Sequence, residues 1–226
     1  MRMMMKSLFV GALFPLAAVV APGAADAAPC INTTLNNWLA STNPTFSCTV
    51  GDKTFSNFSY NQGGFNVPAS AVGVGPAITP DPGIGFNAAW FNITSTPLDA
   101  TLSFTVTAAT ASIHDAELLM GGPTGAAQDV ESFLTSPGGT SVGTPITVGT
   151  LAGQMLTNSE IFTPNQSTLF VIDNLTAFAG TPAAPSGFSV LDKQFSQTPP
   201  IPEPASLALL GISLLGMGLY RRRFRK

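Results

Sequence analysis

Arginine is missing from the whole middle of this 226-residue chain. Between residues 28 and 198 the only basic side chains are Lys53 and Lys193, set against ten carboxylates, a net charge of −8. Phosphate backbones are held by clustered Lys and Arg, so nucleic acid is excluded as a partner of that region. Histidine is almost as scarce, with His114 alone. Gly139-Thr140-Ser141-Val142-Gly143 fits the G-x-S-x-G pattern, but that serine needs a strand-to-helix turn and a histidine later in the chain. Here the histidine comes first and no amphipathic helix follows. Gly73-Val74-Gly75 lacks the third glycine of a dinucleotide loop and reads as a plain loop, and there is no phosphate-binding P-loop. With two cysteines and one distant histidine, a four-ligand zinc site is disfavoured. No repeat of fixed period is present, which weighs against a propeller or β-helix.

What is present is a strand pattern. The middle region, about 170 residues, suits one domain with a real core. It is rich in Gly, Pro, Ser, Thr and Asn, yet Phe, Ile, Val and Leu recur regularly enough to argue against disorder. Ala100 to Ala109 alternates cleanly, with Leu102, Phe104 and Val106 on one face and Thr101, Ser103, Thr105 and Thr107 on the other. That is a half-buried antiparallel strand. Further strands are predicted over Thr54–Tyr60, Ile84–Thr94, Ala111–Met120, Val130–Leu134, Ile146–Leu151, Thr168–Leu175 and Gly187–Phe195. Phe86, Trp90 and Phe91 are the apolar anchors of the second of these, and Leu35–Leu39 reads as a short helix. Thr79-Pro80-Asp81-Pro82-Gly83 and Ser136-Pro137-Gly138-Gly139 punctuate the strands as turns. The expected fold class is all-β, an antiparallel β-sandwich or a jelly-roll-like core.

The two ends have a different chemistry. Arg2 and Lys6 precede an apolar run from Leu8 to Val20, and Ala25-Asp26-Ala27 supplies a small-x-small cleavage site. Residues 1–27 therefore read as a secretory signal peptide, a substrate of the secretion machinery. Cys30 is preceded by Pro29 and lacks the leucine of a lipoprotein signal. At the other end, Ser206 to Tyr220 is free of charge. A spanning helix needs about 20 apolar residues; Pro204, Ala205 and Phe224 extend the run, and arginine stems can snorkel. Arg221, Arg222, Arg223, Arg225 and Lys226 form a basic stop that stays cytoplasmic. A single C-terminal transmembrane helix is predicted.

Pro202-Glu203-Pro204, this helix and the arginine cluster together resemble a PEP-CTERM sorting signal. The resemblance implies an exported protein of a Gram-negative bacterium. It implies a partner, an exosortase-type membrane transpeptidase that recognises Pro202, Glu203 and Pro204. It also implies a setting in exopolysaccharide production or biofilm. A permanent anchor that is never cut is the rival reading. Cys48 to Phe58 and Gly187 to Pro204 resemble segments of some exported proteins of the same group, and bring no catalytic residues with them. The chain thus divides into residues 1–27, an exported β-rich domain over 28–198, and a sorting signal over 199–226.

In an oxidising compartment, two cysteines favour a Cys30–Cys48 disulfide over free thiols, contributing about 3 kcal/mol. In His114-Asp115-Ala116-Glu117, strand alternation puts His114 with Ala116 and Asp115 with Glu117. Asp115 and Glu117 are weak candidates for a calcium half-site, with a solvated strand face favoured; no D-x-D-x-D-G loop is present. Asp129 and Glu131 repeat the spacing and receive the same reading. Asn32, Asn57, Asn92, Asn165 and Asn174 open Asn-x-Ser/Thr triplets, ascribed to composition. No catalytic set, cofactor or metal site is expected. The reading is a non-enzymatic surface or matrix protein. Its rivals are a carbohydrate-binding module stacking sugars on Trp38, Tyr60, Trp90 or Phe91, and a polysaccharide-acting enzyme in whose cleft acids such as Asp115 and Glu131 converge.

Overall fold

A computed structural model of the chain describes residues 27–78, 80–109, 112–151 and 154–197. The predicted signal peptide apart from Ala27, the sorting motif with Pro202, Glu203 and Pro204, and the predicted transmembrane helix with its basic tail lie outside these residues. Among the described residues no helix is long and apolar enough to cross a membrane.

The strands along the described chain are β1 (Ala28–Pro29), β2 (Thr33–Thr34), β3 (Ser47–Val50), β4 (Lys53–Asn61), β5 (Gly73–Ala77), β6 (Gly83–Asn92) and β7 (Leu98–Ala108). They continue as β8 (Ile113–Gly121), β9 (Ala127–Leu134), β10 (Ile146–Gly149), β11 (Thr157–Gln166), β12 (Thr168–Ala177) and β13 (Ser186–Gln197). They form two sheets. One has seven strands in the order β1-β3-β4-β7-β12-β9-β10, the other six in the order β11-β8-β13-β6-β5-β2. Every pairing between these strands is antiparallel except β1 with β3. The chain passes from sheet to sheet at each step through β6, β7, β8 and β9, and β12 and β13 then return to interior places, β12 between β7 and β9 and β13 between β8 and β6. This is the predicted all-β sandwich.

Alternation builds the core. On β7, Ala100, Leu102, Phe104 and Val106 are buried while the intervening threonines and Ser103 face outward. Aromatic contacts join the layers: Phe55 to Phe195 at 6.0 Å, Phe86 to Phe104 at 6.3 Å and Phe133 to Phe162 at 5.0 Å. Each fully buried Phe contributes about 2 kcal/mol by leaving water. On β6, Phe86 and Trp90 point inward as expected, but Phe91 points outward and is 38% exposed.

Beyond the short strands β1, β2 and β3, which the sequence pattern does not announce, three elements differ from the sequence reading. Gly73-Val74-Gly75 opens strand β5 and is not a loop, and a Cβ on Gly75 would lie 1.9 Å from Asn32 Oδ1. β11 has no apolar alternation because it is an edge strand with only Phe162 buried. The predicted Leu35–Leu39 helix is a single 3-10 turn, Leu35–Asn37.

Candidate functional site

Cys30 and Cys48 form the expected disulfide, with Cα atoms 4.8 Å apart. It lies where β1 joins β3 at the edge of the seven-stranded sheet. The aromatic candidates are mostly packing residues. Trp38 and Trp90 are buried. Trp38 stacks on Phe46 and meets Phe58 at 5.1 Å. Trp90 packs on Phe188, and its Nε1 donates to the Tyr60 hydroxyl, which in turn donates to the Val67 carbonyl. Burial pushes the Tyr60 hydroxyl above its ordinary pKa. Only Phe91 of the four presents an exposed ring.

Asp115 and Glu117 lie on the outward face of β8, opposite Ile161 and Ser159 of β11. His114 does not share a face with Ala116: an irregularity in register near Ile113 leaves Ile113 and Ala116 buried and His114 partly exposed, within 3.2 Å of the Asn165 amide oxygen. Gly139 to Gly143 sits in the loop between β9 and β10, with a strand and not a helix on each side. Asn92, one of the five triplet asparagines, is wholly buried. Its Nδ2 donates to the carbonyls of Thr96, Ala177 and Phe178, and its Oδ1 accepts from Thr94 N and Oγ1. The other four are exposed.

An open groove of about 330 Å³ crosses the outward face of the six-stranded sheet where β2, β5, β6 and β13 meet. Asn32, Thr33, Asn87 and Asp192 line it with polar groups, and Gly75 and Gly85 keep it open. A Cβ on Gly85 would meet Asp192 Oδ1 at 2.5 Å. Burial raises the Asp192 carboxyl above its ordinary pKa, partly offset by Lys193 next to it. Amide and carboxylate groups at an open surface can hydrogen-bond hydroxyls.

Asp129 and Glu131 overturn the sequence reading of a solvated strand face. Both are wholly buried, pointing from β9 into the space between the sheets. They meet Asp173 of β12 and Lys193 of β13, which are equally buried. Lys193 Nζ donates to Asp173 Oδ1, stands 3.5 Å from Asp129 Oδ2 and 3.9 Å from Glu131 Oε1. Glu131 and Asp173 are direct cross-strand partners. Neither Glu131 oxygen has a hydrogen-bond partner, nor do Asp129 Oδ1 and Asp173 Oδ2. Burial is the main force on all three acids and raises each, Asp129 to about 8 and Glu131 well above its ordinary value; Lys193 opposes the rise, and repulsion within the trio adds to it for Asp129 and Glu131. Burial alone would lower Lys193, but the three carboxyls around it hold its pKa above the ordinary value. The other lysine, Lys53, is also buried, paired with Asp52 at 2.9 Å. The residue types signalled this cluster only weakly. The clue was two lysines in a domain without arginine, in strands where a solvated charge was the simpler reading.

Comparison with curated proteins finds no match. Among solved structures the chain is similar to TmCBM61, solved in complex with β-1,4-galactotriose, at 15% identity and a TM-score of 0.35, over 63% of this chain and 90% of that one. It is similar to the enzymatically active domain of bacteriophage CBA120 tailspike protein 4 at 12% identity and a TM-score of 0.34, over 62% of this chain and 20% of that one. Likenesses this distant carry no argument about this chain. Residues 200–226 match the PEP-CTERM protein-sorting motif, the mark of an exported protein with a membrane-anchored precursor and exosortase-mediated processing.

Proposed function

We propose that this chain is a non-enzymatic surface or extracellular-matrix protein, delivered as one β-sandwich domain over residues 28–198. The observation that carries the reading is the sorting motif at 200–226, which begins three residues after β13 ends at Gln197. With so short a connection, whatever holds the tail also holds the central strand of the six-stranded sheet. A non-enzymatic role is supported by the positions of the acids once suggested for polysaccharide cleavage: Asp115 faces outward from one sheet, while Glu131 lies between the sheets. A glycosidase needs two carboxyls flanking one accessible cleft. The exopolysaccharide or biofilm setting comes from the resemblance to exported proteins of this kind.

Peptide mass spectrometry of envelope and secreted fractions tests the sorting step. Mature chains ending near Pro202-Glu203-Pro204 are expected. Peptides reaching beyond Tyr220 in the mature envelope protein would make the tail a permanent anchor instead.

The groove supports a second reading, a carbohydrate-binding module that reads hydroxyls through Asn87 and Asp192 without an aromatic platform. Glycan-array binding by the purified protein, lost in Asn87→Ala and Asp192→Asn, is its expected signature. Binding unaffected by both substitutions would remove the groove from consideration.

A further inference from the structure

We propose that the sandwich core forms its own covalent cross-link, an amide between Lys193 Nζ on β13 and Asp173 Cγ on β12, with Glu131 on β9 relaying the proton. The three groups come from three strands and two sheets, and all are wholly buried. The amine and its acceptor are already in contact, since Nζ donates to Asp173 Oδ1. Cγ is the next atom along that bond, and holding reactants together in this way removes most of the entropic barrier to their reaction. Glu131 Oε1 stands 3.9 Å from Nζ. A buried carboxyl with neither oxygen hydrogen-bonded is costly and calls for an explanation. Fixing the fold does not provide one; moving a proton at the neighbouring pair does.

In water, ammonium and carboxylate do not condense, because each is solvated as an ion and water is in excess. The sandwich interior reverses both conditions. Taking an ion pair out of water weakens the preference for the charged forms. The same desolvation is what raises the three acids. The carboxyls around Nζ favour the ammonium on balance, so the neutral amine beside a neutral acid, formed by transfer of one proton from Nζ to Asp173, is a minor form that the later loss of water draws off. The nitrogen lone pair then attacks Cγ and a C–N bond forms. Glu131, which burial pushes toward its protonated form, gives its proton to the departing hydroxyl oxygen and takes one back from nitrogen. The C–O bond breaks and one water leaves. Ammonium plus carboxylate has become amide plus water, with no oxidant, reductant or activated co-reactant. The product replaces a buried ion pair by a neutral amide, which is far less costly to bury. Asp129, at 3.5 Å, is the competing acceptor, but it is not the group to which Nζ lies closest. The cross-link would tie the two sheets together through adjacent long strands. It stands independently of any reading of what the protein binds.

The test is mass spectrometry of the full chain, exported and purified folded. A protease that cuts after glutamate separates a peptide beginning at Ile161, which holds both Asp173 and Lys193, from one over residues 118–131, which holds Asp129 and Glu131. The first peptide is expected to be lighter by one water and to give no fragment ions from cleavage between Asp173 and Lys193. Trypsin is expected not to cut after Lys193. Asp173→Ala and Lys193→Met should each restore the full mass. Glu131→Gln, which keeps the side-chain shape, should give a folded protein by circular dichroism that also has the full mass. A folded wild-type protein of unmodified mass overturns the proposal. A peptide from residues 118–131 joined to Lys193 overturns the choice of Asp173. Loss of water persisting in Glu131→Gln overturns the relay.

Discussion

Asn92 shows how one side chain can close a structure. It ends β6 and ties three carbonyls and the Thr94 backbone into one buried knot. Asn92→Ala would remove a donor from all three carbonyls, of which Thr96 O keeps the Thr94 hydroxyl, and the acceptor of Thr94 N, and a loss of about 3 kcal/mol is expected in urea unfolding. The same burial explains why Asn92 is no acceptor for a glycan in the folded protein, whatever its triplet suggests. Asp129 makes a different prediction. Its folded pKa, about 8, lies above the value of an unfolded aspartate. The folded state therefore holds more protons than the unfolded one between those two values, and stability falls as pH rises through that window. The contribution is fully present below the unfolded pKa and is lost by the time pH passes the folded value. The urea midpoint is expected to be higher near about pH 5 than near about pH 8, with a flatter profile in Asp129→Asn. Forming the amide at Lys193 would remove the opposing positive charge and keep the same sign.

Strands here depart from strict alternation where burial demands it. In β4 a period of two would bury Phe55 with Asn57 and expose Phe58. Both phenylalanines are buried because the register with β7 shifts between Ser56 and Ser59. The residue that absorbs the extra step is Asn57, at φ 55°, exposed and with Nδ2 donating to Thr105 Oγ1. Asparagine tolerates that left-handed geometry, whereas a β-branched side chain does not. Asn57→Val is expected to cost about 1–2 kcal/mol, and Asn57→Gly to be nearly neutral, in thermal or urea unfolding. β8 carries a similar irregularity near Ile113, and this is what moves His114 off the face of Ala116. β5 illustrates the reverse case, where Gly73 and Gly75 make a strand hard to recognise from composition.

At the scale of the whole molecule, the disulfide and the proposed amide lie toward opposite ends of the described chain. Cys30–Cys48 closes the N-terminal edge of the seven-stranded sheet. Lys193 and Asp173 lie on the last two strands, just ahead of the sorting motif. A pull transmitted through the C-terminal tail would act on β13, and a cross-link to β12 would pass it into the other sheet. Reduction of the disulfide, or Cys30→Ala with Cys48→Ala, is expected to lower stability by about 3 kcal/mol in urea unfolding. Lys193→Met, by contrast, should leave the disulfide intact under non-reducing peptide mapping, since the two sites occupy separate places in the sandwich.

Much of this architecture was legible in the order of residues. The alternation of Leu102, Phe104 and Val106 with threonines specifies a strand and its buried face, because side chains on a strand point alternately to opposite sides. The cysteine pair, 18 residues apart, and the tail over residues 200–226 are likewise signals carried by one short stretch of sequence each. The core charge cluster could not be read in that way. Asp129, Glu131, Asp173 and Lys193 carry no motif, and a carboxylate on a strand is ordinarily turned to water. Only the crossing of β9, β12 and β13 brings their inward positions to one point. There, loss of water and the proximity of four ionisable groups decide protonation and reactivity, and both depend on neighbours up to 64 residues apart in the chain.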